Sequence, residues 1–318
     1  MESLLHSAAG ALGRWVQSLN PSLLKHNPPF EEVTGSDICF LGPNGETDES
    51  LVIFCRDFTM RSLVGSWYLS PTRHALEMLI LSPIFLMVIW KILPSLLQLE
   101  GKRSGTKAGH PLGIPTLAAS CMAAHLFYKT LGKKILFLCV PCNVQWQLTV
   151  LICFGSWSGP VQGVLYQLLL SYCGYTLPAL ATPDVSDCLF PFEPFFFWFN
   201  HIALLVIPIA YLATGRVSLL SPSRTCSTLW FNVQWWLVTC AGFGLFYFLP
   251  VSLVSIASGY NLNYMLSPPP GQDLIVGDSY RLMSIGCCAL LIFLTRGSIV
   301  MVESLTKAAK KQAEKKAE

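Results

Sequence analysis

The sequence predicts an all-α, polytopic transmembrane helical bundle of about seven spans, N-terminus out and C-terminus in. Three observations carry this. Hydrophobic residues make up 53% of the chain and charged residues 12%, about half the ~25% charge of a soluble domain. No ionisable acid or base except cysteine and tyrosine occurs between Lys134 and Asp184, a stretch long enough for two helices of ~20 residues. The apolar segments lack the period-2 alternation of barrel strands. Helices are then the way to satisfy backbone groups in hydrocarbon.

Residues 1–72 read as an extramembrane segment. Glu2, His6 and Arg14 interrupt its start and no apolar core follows, so it is no signal peptide and the first span acts as the targeting signal. Turn residues punctuate the rest (Pro28-Pro29, Gly35, Gly42-Pro43, Asn44-Gly45) around a short apolar run at 51–55. The transmembrane part, 73–303, divides into apolar segments at 74–97, 115–131, 135–155, 161–180, 194–214, 229–257 and 280–302. His125 and Lys129 weaken the second. Turns follow at 155–160, Pro183 ends the fourth, and Gly215-Arg216 stops the fifth. Residues 304–318 form a basic cytosolic tail.

Orientation follows from the lysines and arginines, which favour the cytosolic side. Lys102, Arg103 and Lys107 lie in the first loop, Arg216 and Arg224 in the fifth, and five lysines in the tail. Asp184, Asp187, Glu193, Asp273 and Asp278 fall in the loops assigned outside. Lys133 and Lys134 disagree: seven spans put them outside, where they would snorkel or meet lipid phosphates. Lys315 and Lys316 resemble the dilysine retrieval signal that coat machinery reads on endoplasmic-reticulum membrane proteins. The expected location is therefore that membrane or the Golgi; the other reading is a solvated tail.

Composition also excludes functions. A net charge of +3 without a basic stripe gives no reason to expect nucleic acid. The twelve cysteines lie mostly in apolar segments, where Cys is a small hydrophobe; Cys39, Cys55 and Cys188 fall in polar regions. Gly155-Ser156-Trp157-Ser158-Gly159 has Trp157 where a nucleophile elbow needs serine. Walker, HExxH and dinucleotide motifs are absent, and no acidic ladder lines a span. No metal or cofactor is expected. Cys139 and Cys142 form a C-x-x-C but lack a second ligand pair.

Intramembrane polar groups are functional candidates because they are costly there. His201 lies two turns into the fifth segment; it either bonds between helices or acts on a ligand. Cys142 lies about two turns into the third, after Pro141, which should kink that helix. Packing is the alternative for this thiol. Seven spans place Cys142 and His201 at similar depth, with Asn261 and Asn263 in a loop returning to the same face. A thiol, an imidazole and amides would make a nucleophile, its base and an orienting or oxyanion group.

These segments resemble the transmembrane protein 164 family. The likeness runs over roughly residues 67–300. It rests on Tyr68-Leu69-Ser70 with Arg73 and Leu76-Glu77; on Pro141-Cys142; on Leu189-Phe190-Pro191-Phe192-Glu193 followed by His201 and Val206-Ile207-Pro208-Ile209; and on Asn261-Leu262-Asn263-Tyr264-Met265-Leu266 with Pro268. The resemblance implies a lipid acyltransferase moving polyunsaturated acyl chains onto lyso-ether phospholipids, with Cys142 as nucleophile and His201 as base. Asn261 and Asn263 match the family's Asn-x-Asn. Asn143 stands where the family usually has His, and is a third orienting candidate.

The expected chemistry is an O-acyl exchange between a phospholipid and a lysophospholipid through a Cys142 thioester. A thiolate is both a good nucleophile and a good leaving group, and a dry site favours transfer over hydrolysis. Two rivals stay open: a hydrolase using the same pair, and a non-catalytic lipid-binding or transport protein in which Cys142 is only packed.

Overall fold

The computed structural model describes residues 2–20, 68–102, 109–111, 113–132, 134–157, 159–181, 190–223, 225–266 and 277–317, with isolated residues between. The turn-rich stretch 21–67, with Cys39 and Cys55, lies outside them. So do Arg103, Lys107, Lys133, Asp184, Asp187, Arg224 and Asp273, and the side chains of Lys315 and Lys316.

Every described element is a helix. α1 is Glu2–Ser18, α2 Pro71–Gly101, α3 Ile114–Leu131, α4 Pro141–Phe154, α5 Gly159–Tyr172, α6 Thr176–Ala181, α7 Glu193–Ala213, α8 Thr228–Phe246, α9 Ser252–Ser258 and α10 Tyr280–Ala317. Short 3-10 turns fill Ile135–Cys139 and Cys173–Tyr175. Tyr247–Val251 is a π turn, which absorbs the N–H that Pro250 lacks.

Among the described residues, five helical stretches are long and apolar enough to cross a membrane: Pro71–Gly101, Gly159–Ala181, Glu193–Ala213, Thr228–Ser258 and Gly277–Ala308. They correspond to five of the seven expected segments. The other two take different forms. α3 is 18 residues and carries His125 and Lys129, both buried. The 135–155 segment is no continuous helix. Val140 adopts ψ 151°, because a residue before proline avoids the α region. Pro141 then starts α4 at the first helical position, where its missing N–H costs nothing. At 14 residues, α4 is about 21 Å long, short of a ~30 Å hydrocarbon core.

The chain forms two compact units, and several helices run through both. Unit 1 comprises 1–86, 184–194 and 243–285. α1, unforeseen from the sequence, belongs to it. Leu12, Val16 and Leu19 recur at helical spacing and pack with Ala75, Met78, Ile256 and Leu266. Gly13 permits the approach, because a Cβ there would stand 3.0 Å from Thr72 Oγ1.

Unit 2 comprises 87–183, 195–242 and 286–318. One apolar cluster gathers Trp146, Ile152, Leu169, Leu204 and Tyr211; another gathers Leu96, Val164, Phe231 and Trp235. Polar groups hold the helices as well. Buried Arg296 donates from Nε to Asn232, from Nη1 to Ser171 and from Nη2 to Gln167, at 2.8, 2.7 and 2.7 Å. Glu303 accepts from Ser218 Oγ and the Leu219 amide at 2.5 and 2.8 Å. The apolar faces left exposed, with Trp90 and Phe195 three-quarters exposed, suit lipid rather than water.

Candidate active site

Cys142 belongs to unit 2, in the first turn of α4. This corrects the expectation of a thiol two turns into a kinked span: Pro141 begins the helix instead of bending it. The position puts the sulfur at the positive end of α4. The side chain is half-buried and packs against the Trp146–Leu204 core. Cys139 ends the preceding 3-10 turn, so extended Val140 separates the two cysteines and no shared helix presents them.

His201, also in unit 2, lies two turns into α7 as expected and is buried. Its Nδ1 lies 2.7 Å from the Phe197 carbonyl oxygen. A carbonyl only accepts, so Nδ1 carries the proton and Nε2 keeps the lone pair. The Phe197 ring supports the imidazole, with centroids 4.2 Å apart. Among the described residues Nε2 makes no hydrogen bond, to the Cys142 thiol or to any other group.

A polar clamp joins α4 to α7 on either side of this pair. Asn200 Oδ1 accepts from Trp146 Nε1 and, at 3.0 Å, from His125 Nε2. Tyr128 donates its hydroxyl to His125 Nδ1 at 2.6 Å. Gln145 Nε2 donates to the Leu204 carbonyl at 3.0 Å. Gln145 and Trp146 lie one turn beyond Cys142 on the same side of α4, while Asn200 and Leu204 bracket His201. The clamp thus ties the turn after Cys142 to the turn holding His201.

The two histidines differ in what they leave open. Both nitrogens of His125 are spent on Asn200 and Tyr128, and Phe196 packs on its ring at 5.1 Å. His125 is a structural clamp residue. His201 spends Nδ1 alone and retains a basic nitrogen. His125, Asn200 and Gln145 were missed from the sequence. Their signal was there, since each is a polar side chain inside an apolar segment.

Asn143, next to Cys142 in the chain, is buried. Its Nδ2 donates to the Phe137 carbonyl at 2.7 Å, and its Oδ1 has no partner. Gln145 Oε1 is likewise buried without a partner. Neither amide can flip without losing its bond to a carbonyl, so each presents an acceptor. The region beside Cys142 therefore offers acceptors for a hydroxyl or an N–H.

Asn261 and Asn263 lie in unit 1. Asn261 Oδ1 accepts from the Leu266 amide at 2.8 Å. Asn263 is left-handed at φ 50°, a conformation Asn tolerates, and its carbonyl accepts from Tyr247 at 3.1 Å. Both serve to shape the 261–266 turn. Among the described residues, no three His, Cys, Asp or Glu side chains gather as metal ligands would.

The TMEM164 family model matches residues 68–297. The chain is also similar to a protein named transmembrane protein 164 homolog from Dictyostelium discoideum. The two are 27% identical over 246 residues, which covers 73% of this chain and 83% of that protein. No solved structure matches the chain.

Proposed function

Because the chain belongs to the TMEM164 family, we propose that it is a membrane phospholipid O-acyltransferase with Cys142 as nucleophile and His201 as base. The observation that carries this is the His201 tautomer: Nδ1–H is anchored on a backbone carbonyl, so a basic Nε2 sits on a helix clamped to the one bearing Cys142. In apo structures catalytic hydrogen bonds are often long and tighten only with substrate.

His201 Nε2 takes the Cys142 proton, and the thiolate attacks an acyl ester of a phospholipid. The ester C–O bond breaks, the departing oxygen takes the proton back from the imidazolium, and a thioester remains. A lysophospholipid hydroxyl then gives its proton to Nε2 and attacks the thioester, and the thiolate leaves. Asn143 Oδ1 and Gln145 Oε1 are acceptors suited to holding that hydroxyl. A polyunsaturated chain and a lyso-ether acceptor are the substrates the family resemblance implies.

The same reading keeps the N-terminus outside and the C-terminus in the cytosol, now with five spans. α3 and α4 form a hairpin that enters and leaves on the cytosolic side. The segment 102–158 then carries Lys102, Arg103 and Lys107 on the cytosolic side, while Lys133 and Lys134 fall at the tip of the hairpin and need not form an outer loop. Buried Lys129 and Lys134 sit at the inner end of that hairpin, near the start of α4.

The test uses purified protein in liposomes holding a phospholipid with a labelled polyunsaturated chain and a lyso-ether acceptor. Label should move to the acceptor. Cys142→Ala and His201→Ala should each abolish transfer, and the double variant should be no worse, since such residues fail as a unit. Cys139→Ala should keep most activity. Free fatty acid as the product would make the protein a hydrolase; full activity in Cys142→Ala would refute the reading.

A further inference from the structure

Arg281, in unit 1, lies in the first turn of α10 and is fully buried. Its Nη1 is engaged twice, 2.6 Å from His74 Nδ1 and 3.1 Å from Glu77 Oε2. Its Nε and Nη2 have no hydrogen-bond partner among the described residues. These two nitrogens share one edge of the guanidinium and form the fork that grips two oxygens of an anion. Buried N–H groups left unpaired are costly. On the same helix Arg296 shows the usual solution, with Nε, Nη1 and Nη2 all bonded.

Among the described residues the charges around Arg281 do not cancel. Glu77 also binds Arg73 Nε at 3.0 Å, so two guanidiniums share one carboxylate. His74 adds no charge, because its Nδ1 faces a guanidinium that only donates and must hold a lone pair. One positive charge remains, at the positive end of the α10 dipole.

α9, in the same unit, carries two further buried donors. It packs on this stretch of α2 through Ile256 against Ala75 and Met78. Ser252 lies one turn before Ile256, and Ser255 lies next to it. Both serines are fully buried, and among the described residues their hydroxyls have no partner. Phe248, just before α9, lies against the guanidinium with 5.0 Å between Arg281 Cζ and the ring centroid.

We propose that Arg281, with Ser252 and Ser255, forms a binding site for a phosphate-type anion, either a phospholipid headgroup or free phosphate. A guanidinium fork and two hydroxyls match the several oxygens of a phosphate group. The site needs nothing from Cys142 or His201, so it stands or falls separately from the acyl-transfer reading.

The experiment titrates the purified full chain in detergent with three probes: a lysophospholipid, the monoacylglycerol of the same chain, and inorganic phosphate. Binding is read by native mass spectrometry for the lipids and by thermal shift for phosphate. The lysophospholipid should bind in preference to the monoacylglycerol, and Arg281→Gln should weaken it by about tenfold or more. Response to inorganic phosphate without lipid discrimination assigns the site to the free anion. A Ser252→Ala/Ser255→Ala variant removes two unpaired buried hydroxyls, so it should raise the ligand-free melting temperature while weakening the anion; it decides the matter if Arg281→Gln does not fold. No discrimination between the lipids together with no response to phosphate would overturn the proposal. So would unchanged binding in the serine variant.

Discussion

Replacing Asn200 with Leu tests the clamp that sets α7 against α4. The side chain is almost fully buried, and its Oδ1 is the acceptor for both Trp146 Nε1 and His125 Nε2. Leu keeps similar bulk but orphans two buried donors, at about 1–3 kcal/mol each. Helix–helix hydrogen bonds within a bilayer average less, about 0.6 kcal/mol, so a loss of about 2 kcal/mol is expected. For a chain of this size that lowers the melting temperature by about 3 °C. The assay is thermal unfolding in detergent followed by tryptophan fluorescence. Trp146→Phe in the Asn200→Leu background removes one orphan and should recover part of the loss, the signature of a coupled pair. Asn200→Leu that melts like the parent, or a double variant no better than the single, would refute the clamp.

Two further outcomes follow. Arg296→Met leaves Asn232 Oδ1 and Gln167 Oε1 buried without their donor and should destabilise unit 2 by about 2–4 kcal/mol, read by the same melt; Arg296→Lys should recover little, because an ammonium lacks the planar fork. Glycosylation reporters placed in 259–276 should be modified, whereas reporters in 214–227 and at 132–134 should not. Modification at 132–134 would restore the seven-span topology, and modification in 214–227 would invert the orientation.

The membrane character and the positions of five long apolar helices could be read from the chain because they depend on local quantities: runs of apolar residues and the turn residues that end them. His201 could be singled out for the same reason, a polar side chain being conspicuous in an apolar segment, whereas Cys142 stood out through the proline before it and the family's Pro-Cys motif. The rest required distant contacts. The hydropathy of 135–155 is that of a span, yet Pro141 and Val140 divide it, and the division moves Cys142 into a first helical turn. His125 and His201 look alike in sequence. What separates them is one partner from another helix: Asn200 of α7 spends a nitrogen of His125, whereas His201 bonds, among the described residues, only to the Phe197 carbonyl of its own helix. Arg281 and Arg296 are also alike, two arginines on the same helix, and what distinguishes them is whether each nitrogen finds an acceptor. Hydropathy and propensity are properties of neighbours along the chain, whereas hydrogen-bond satisfaction depends on neighbours in space, and that is what the tertiary structure alone decides here.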